Sequence, residues 1–276
     1  MIIDAHAHYI ETNRPDRPYV DPSPMHPISV DQLAAAAAKA GVDLVVQVTA
    51  STMGNDNRYS FEGAKCRPDK IAGVFGRFDP LAIDLESKLK EYFAQPHALG
   101  IRLTLFHPWA QQWLAQRALD PFLHAAAKTN VPIAIFAPFQ NELLLETVRR
   151  HPAVRFLVDH MGIRVEPSQT PSTAFRQWSS LLELAKETNV WVKVSYFPEA
   201  MLGSEAYPYR LAQQYFERLV QSAGTSRLIW GSNFPPVGRA CTYAQALDFV
   251  QKECEFLSAE DRALILGGNF YRDFMR

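Results

Sequence analysis

The chain reads as an α/β protein, a single-domain (β/α)8 barrel of 276 residues. Three observations lead there. Short, nearly continuous apolar runs recur eight times, as strands of a parallel sheet covered on both faces require. An amphipathic stretch of helical period lies between successive runs. Eight such units in roughly 250 residues is the arithmetic of this barrel. A doubly wound sheet is the competing arrangement. It would normally place a Gly-rich phosphate turn after its first strand, and here that position holds HAHY.

The strands are expected at residues 2–8, 43–49, 71–78, 98–105, 131–136, 154–160, 190–195 and 227–231. Ser29 can cap the helical run VDQLAAAAAKA, and Gly41 can close it from the left-handed region. Residues 84–93 place Leu85, Leu89 and Phe93 on one face. In residues 140–150 the acid comes early and the arginines late, which suits the helix dipole. Helices are also expected at 173–188, 206–222 and 242–255. In the last segment, Ser258 followed by Asp261 makes a capping pattern. No composition break, Ser/Gly linker or charge block interrupts residues 1–276, so one domain is expected. Long loops are expected after strands 1, 6 and 7, at residues 9–27, 162–171 and 196–209. All three lie on the carboxyl face, where barrel active sites sit. The first holds five prolines and is long enough for a lid or binding segment.

Composition narrows the function. Lys plus Arg is 28 and Asp plus Glu is 29, so nothing in the charge balance favours nucleic acid as a partner. No apolar run reaches the roughly 18 residues of a membrane span, and the first residues lack the pattern of a signal peptide. The three cysteines, Cys66, Cys241 and Cys254, are scattered without CxxC spacing, and a cytoplasmic location is expected. The chain shows no GxSxG, P-loop or dinucleotide fingerprint. The partner expected is a small anionic substrate. A homo-oligomer is compatible with the sequence but not specified by it.

The chemistry-bearing residues gather at strand ends. His6 and His8 stand two apart on the first strand, so both imidazoles face one side. They can share a metal ion there, or serve as hydrogen-bonded core groups. His160 ends the sixth strand and offers a third nitrogen, which leaves one position open on a zinc-like ion. Asp159 is expected to point the opposite way and to be structural. Arg102 lies inside the apolar run LGIRLTLF, which calls for an anion, either a substrate carboxylate or a structural acid. Asn233 ends the eighth strand in WGSNFPP. Its amide can orient water but cannot take a proton at neutral pH. His107, Tyr9, Tyr196 and Arg164 follow strands and are candidate substrate contacts.

IIDAHAHY, DHMG, WGSNFPP and ILGGNFYRDF, in this order, resemble the amidohydrolase-related, TIM-barrel branch of the amidohydrolase superfamily. That branch includes 2-pyrone-4,6-dicarboxylate lactonase and aminocarboxymuconate semialdehyde decarboxylase-like enzymes. The resemblance implies that His6, His8 and His160 form the catalytic cluster, and that Arg102 meets an anionic substrate. It also implies that Asn233 stands where the family carries its eighth-strand aspartate, the usual general base. No lysine ends the fourth strand and no histidine ends the fifth, so at most one divalent metal is expected, Zn²⁺, held by His6, His8 and His160. Some lactonases of the branch work without any metal. The expected activity is hydrolysis of a carboxylate-bearing lactone or cyclic ester, catalysed by His6, His8, His160 and Asn233. A nonoxidative decarboxylase, a lactone isomerase and a small-acid-binding barrel without turnover are the alternatives.

Overall fold

A computed structural model describes residues 1–20, 26–166 and 169–275. Part of the first long loop (residues 21–25) and part of the second (167–168) lie outside the described residues. The strands are β1 (Ile3–Ala7), β2 (Leu44–Val48), β3 (Ile71–Arg77), β4 (Ala98–Thr104), β5 (Ile133–Phe136), β6 (Phe156–Val158), β7 (Val190–Val194) and β8 (Leu228–Trp230). They pair in sequence order and in parallel. Each falls within its expected run. The barrel closes through a parallel bridge between Ala7 and Phe234, with His8 N donating to Phe234 O and Asn233 N to His6 O. Gly231 permits that approach: a Cβ there would lie 2.7 Å from the His6 Cβ.

The helices follow from local chemistry. Helix α1 (Val30–Ala40) carries the expected Ser29 cap, completed by Gln32 as a capping box, and Gly41 ends it at φ 84°. Helix α2 (Arg58–Cys66) precedes β3, and α3 (Leu85–Phe93) buries Leu89. Helices α4 (Asp120–Thr129) and α5 (Asn141–Arg150) flank β5. The helix expected at 173–188 is broken into α6 (Pro171–Ala174) and α7 (Trp178–Leu184). The break lets Phe175 stack on Tyr215 while Trp178 packs edge-on against the same ring. A short helix, α8 (Phe197–Ala200), stands inside the expected third loop, and α9 (Arg210–Ala223) starts later than expected. The C-terminal region forms α10 (Tyr243–Asp248), α11 (Ala259–Ala263) and α12 (Asn269–Phe274), with π-helical turns after the first two.

The apolar core divides in two. The larger part lies between sheet and helices. The smaller joins Ile3, Phe75, Leu157 and Ile229 to Phe270 and Phe274 of α12, packed on strand starts such as Leu44 and Leu99. That cluster plugs the amino-terminal end of the barrel, so the polar side chains inside it collect at the carboxyl end.

Candidate active site

A cavity of about 760 Å³ opens at the carboxyl ends of the strands. Its lining includes His8, Arg102, His160, Arg164, Tyr196 and Asn233, which β1, β4, β6, β7 and β8 and their following turns supply. Phe106, Phe136 and Phe234 give it apolar walls, and His26 and Gln32 stand at its rim. Arg239 is a third lining arginine, and no acidic side chain lines the cavity among the described residues.

The three histidines converge as the resemblance implies. The His6 ring centroid lies 5.0 Å from that of His8 and 4.4 Å from that of His160. They are not equivalent. His6 does not line the cavity; it is fully buried beneath the other two. Its Nδ1 is 3.4 Å from Asp159 Oδ1 and from Lys193 Nζ, and its Nε2 has no partner. His8 Nδ1 lies 2.6 Å from the Val48 carbonyl oxygen. A carbonyl only accepts, so the proton sits on Nδ1 and Nε2 carries a lone pair. His8 is therefore a proton acceptor, not a donor to a substrate carbonyl. His160 Nδ1 is 2.8 Å from the Ser195 hydroxyl, and its ring stacks on Tyr196 at 3.9 Å. Burial depresses all three imidazoles, His6 and His160 well below their ordinary range and His8 to about 4, where Arg102 adds to the effect. All three are neutral at pH 7.

Beneath them runs a charged network. Asp159 Oδ2 accepts from Arg102 Nε at 3.0 Å, and Lys193 Nζ stands 3.0 Å from Asp159 Oδ1. Burial works to raise the Asp159 carboxyl, but Lys193, His6 and Arg102 outweigh it and hold it well below the usual range. Arg102 thus meets a structural acid through Nε and still lines the cavity. The expectation that Asp159 points away from the site is corrected. Alternation carries Asp159 inward after the interior Leu157, and His160 and Met161 then take left-handed φ values of 55° and 57°. That turn brings His160 to the same side, so both reach the barrel mouth.

The remaining expected contacts divide. Tyr196, Arg164 and Asn233 line the cavity. Tyr9 does not: its hydroxyl donates to the Ser60 carbonyl, and its ring packs on Tyr59. His107 stacks on the exposed Trp109, also away from the lining. Two groups were missed. Lys193 was detectable, since a cation inside the run VWVKV calls for an anion just as Arg102 does. Glu199 on α8 was not, because no pattern marks it. It is 1% exposed, and its Oε1 accepts from Asn233 Nδ2 at 2.9 Å.

The fit to a divalent ion can be tested on these groups. Among the described residues no three His, Cys, Asp or Glu side chains form a ligating group. Asp159, the acid that would offset the ion's charge, is already shared between Arg102 and Lys193, and Lys193 Nζ stands beside His6. The expected ligand set of His6, His8 and His160 is therefore not assembled in this arrangement.

Glu199 has a consequence for stability. Burial raises its carboxyl from the ordinary 4.5 to about 7, against the Asn233 hydrogen bond. The folded state then holds a proton that the unfolded state has lost, so stability falls as pH rises from about 4.5 to 7. The full difference is on the order of 3 kcal/mol. Glu199→Gln is expected to raise the melting temperature more at pH 8 than at pH 5. A gain equal at both pH values would contradict this account.

Comparison with known proteins follows the same lines. The Amidohydrolase family model matches residues 3–272. The L-fucono-1,5-lactonase of Burkholderia ambifaria is 28% identical over 285 residues, covering 98% of this chain and 95% of that protein. An amidohydrolase from Burkholderia multivorans crystallised with bound HEPES superposes with a TM-score of 0.84 at 22% identity, covering 99% and 98% of the two chains. A second crystal form of it carries bound Zn, with a TM-score of 0.83 at 21% identity and the same coverage. A probable 2-pyrone-4,6-dicarboxylic acid hydrolase from Acinetobacter baumannii, with citric acid bound, gives a TM-score of 0.75 at 23% identity, covering 98% of each chain. These structural likenesses show the fold.

Proposed function

We propose, from the premise that the chain belongs to the amidohydrolase family, that it is a hydrolase opening a carboxylate-bearing lactone or related cyclic ester. The observation that carries the reading is the lining of one cavity by three arginines, three histidines, of which His8 and His160 are neutral, and no acid among the described residues. Such a lining attracts an anion and leaves a base beside it. The full-length similarity to a protein named L-fucono-1,5-lactonase supports a lactone ring.

The steps follow from the hydrogen bonds. Arg102, held by Asp159 through Nε, turns its remaining nitrogens to the substrate carboxylate. His160 Nδ1 is paired with the Ser195 hydroxyl; with that hydroxyl as donor, the ring proton sits on Nε2 and faces the lactone carbonyl. Water held at Asn233 attacks that carbon, and one of its protons passes to the His8 Nε2 lone pair. The carbonyl electron pair moves to oxygen. When it returns, the ring C–O bond breaks, and the His8 proton goes to the departing oxygen. The product is an open hydroxy acid.

The substrate's charge is the testable part. An arginine-carboxylate contact contributes about 1.5–3 kcal/mol, a factor of roughly 10–150. Wild type should favour a carboxylated lactone over its uncharged analogue in kcat/KM by about that factor. Arg102→Met should remove most of the preference. A wild type that opens the uncharged analogue equally fast would contradict the proposed substrate class.

A further inference from the structure

Four acidic side chains are buried among the described residues: Asp4, Glu11, Asp159 and Glu199. Three have strong partners. Asp4 accepts from Ser232, Tyr243 and the His6 backbone, Glu11 pairs with Arg14 and Arg17, and Asp159 pairs with Arg102 and Lys193. Glu199 differs. Among side chains it has one hydrogen-bond partner, the Asn233 amide, and its Oε2 has none. No ion pair to it is found among the described residues. Arg239 acts on it only at longer range, and Tyr196, Tyr209 and Cys241 are its other titratable neighbours. Burying an unpaired carboxylate is costly, so its attachment to a residue that lines the cavity calls for a use.

A side-chain amide has a donor end and an acceptor end, and alone it can turn either one to the cavity. An ionised carboxylate only accepts. Glu199 therefore fixes Nδ2 of Asn233 toward itself and leaves Oδ1 on the side of the cavity that Asn233 lines, beside His8 and Tyr196. An attacking water that gives one proton to His8 needs an acceptor for its other hydrogen. We propose that Glu199 is a positioning residue for hydrolysis: its carboxylate holds the Asn233 amide so that Oδ1 orients the attacking water. The buried glutamate thus supplies, from behind the amide, the negative charge that strand β8 lacks at Asn233. The assignment rests on the hydrolytic reading above.

The pH dependence follows in sign. Burial pushes the Glu199 carboxyl up to about 7. Above that pH the carboxylate holds the amide. Below it the protonated carboxyl can donate to Oδ1 and turn Nδ2 to the cavity, so the rate falls with decreasing pH. His8 titrates near 4 and gives a separate limb.

The test is a pH profile of kcat and KM on a carboxylated lactone for wild type, Glu199→Gln and Glu199→Ala. Wild type should lose rate as pH falls through about 7. The glutamine variant keeps an acceptor for Asn233 and does not titrate, so its limb near 7 should vanish and its kcat should exceed that of the alanine variant. The alanine variant should lose about tenfold or more in kcat with KM little changed, as expected for a lost charge-assisted hydrogen bond. Circular dichroism checks its folding, and if it does not fold the glutamine profile decides alone. A limb near 7 that persists in Glu199→Gln, or wild-type kcat in folded Glu199→Ala, would overturn the assignment while leaving the hydrolytic reading intact. A wild type inert toward every lactone would overturn the hydrolytic reading and this assignment with it.

Discussion

Asp159→Asn is expected to lower the free energy of unfolding by about 3–5 kcal/mol, because it removes one partner of a buried charge network. Asp159 is fully buried, and so is Lys193; Arg102 is nearly so. With the carboxylate gone, two cations remain in a low-dielectric barrel mouth with an amide between them. Lys193 can shed its proton, and its amine is already pushed down by burial. Arg102 cannot, so the penalty persists at every accessible pH. Urea unfolding at pH 7 measures it. Glu183→Gln, which breaks the exposed pair with Lys186, should change stability by less than about 1 kcal/mol. An equally small loss for Asp159→Asn would show that the network is not what fixes Arg102. The same variant should weaken kcat/KM, since Arg102 would lose the anchor at its Nε.

His8→Ala is expected to lower kcat by about a hundredfold to ten-thousandfold, the usual range for a lost general base. The reasoning is local. The Val48 carbonyl holds the proton on Nδ1, and the free lone pair belongs to a ring that lines the cavity. Its basicity is depressed to about 4, so the ring is unprotonated through the neutral range. The sign follows: His8 can accept a proton above about pH 4 and is blocked below it. His8 is one of many lining groups and Arg102, the proposed carboxylate contact, is untouched, so KM should change far less than kcat. A variant that keeps wild-type kcat would remove His8 from the mechanism and pass the base role to another group.

What could be read from the sequence was whatever a regular strand carries. The barrel followed from eight apolar runs, and period-two alternation put His6 and His8 on one side. Arg102 stood out because a cation inside an apolar strand needs an anion, and Asp159 is that anion. The same rule applies to Lys193. Reasoning failed where the backbone leaves the strand. Alternation from the interior Leu157 carries Asp159 inward, and the left-handed turn at His160 and Met161 brings His160 to the same side, where a regular strand would have put it outside. Tyr9 and His107 follow strands as active-site residues do, but position after a strand does not fix direction. Tyr9 turns to Ser60 and His107 to Trp109. Glu199 lies on a four-residue helix whose length carries no periodic signal. Its meaning emerges only through its hydrogen bond to Asn233.

The central claim is that water opens a carboxylated lactone in this cavity. Its most direct test is carbon NMR of such a lactone incubated with wild-type protein in water enriched in oxygen-18. The account predicts an open hydroxy acid with one heavy oxygen in the new carboxylate and an unlabelled hydroxyl, since water attacks the carbonyl carbon. Release of carbon dioxide, or a ring that binds and stays intact, would contradict it.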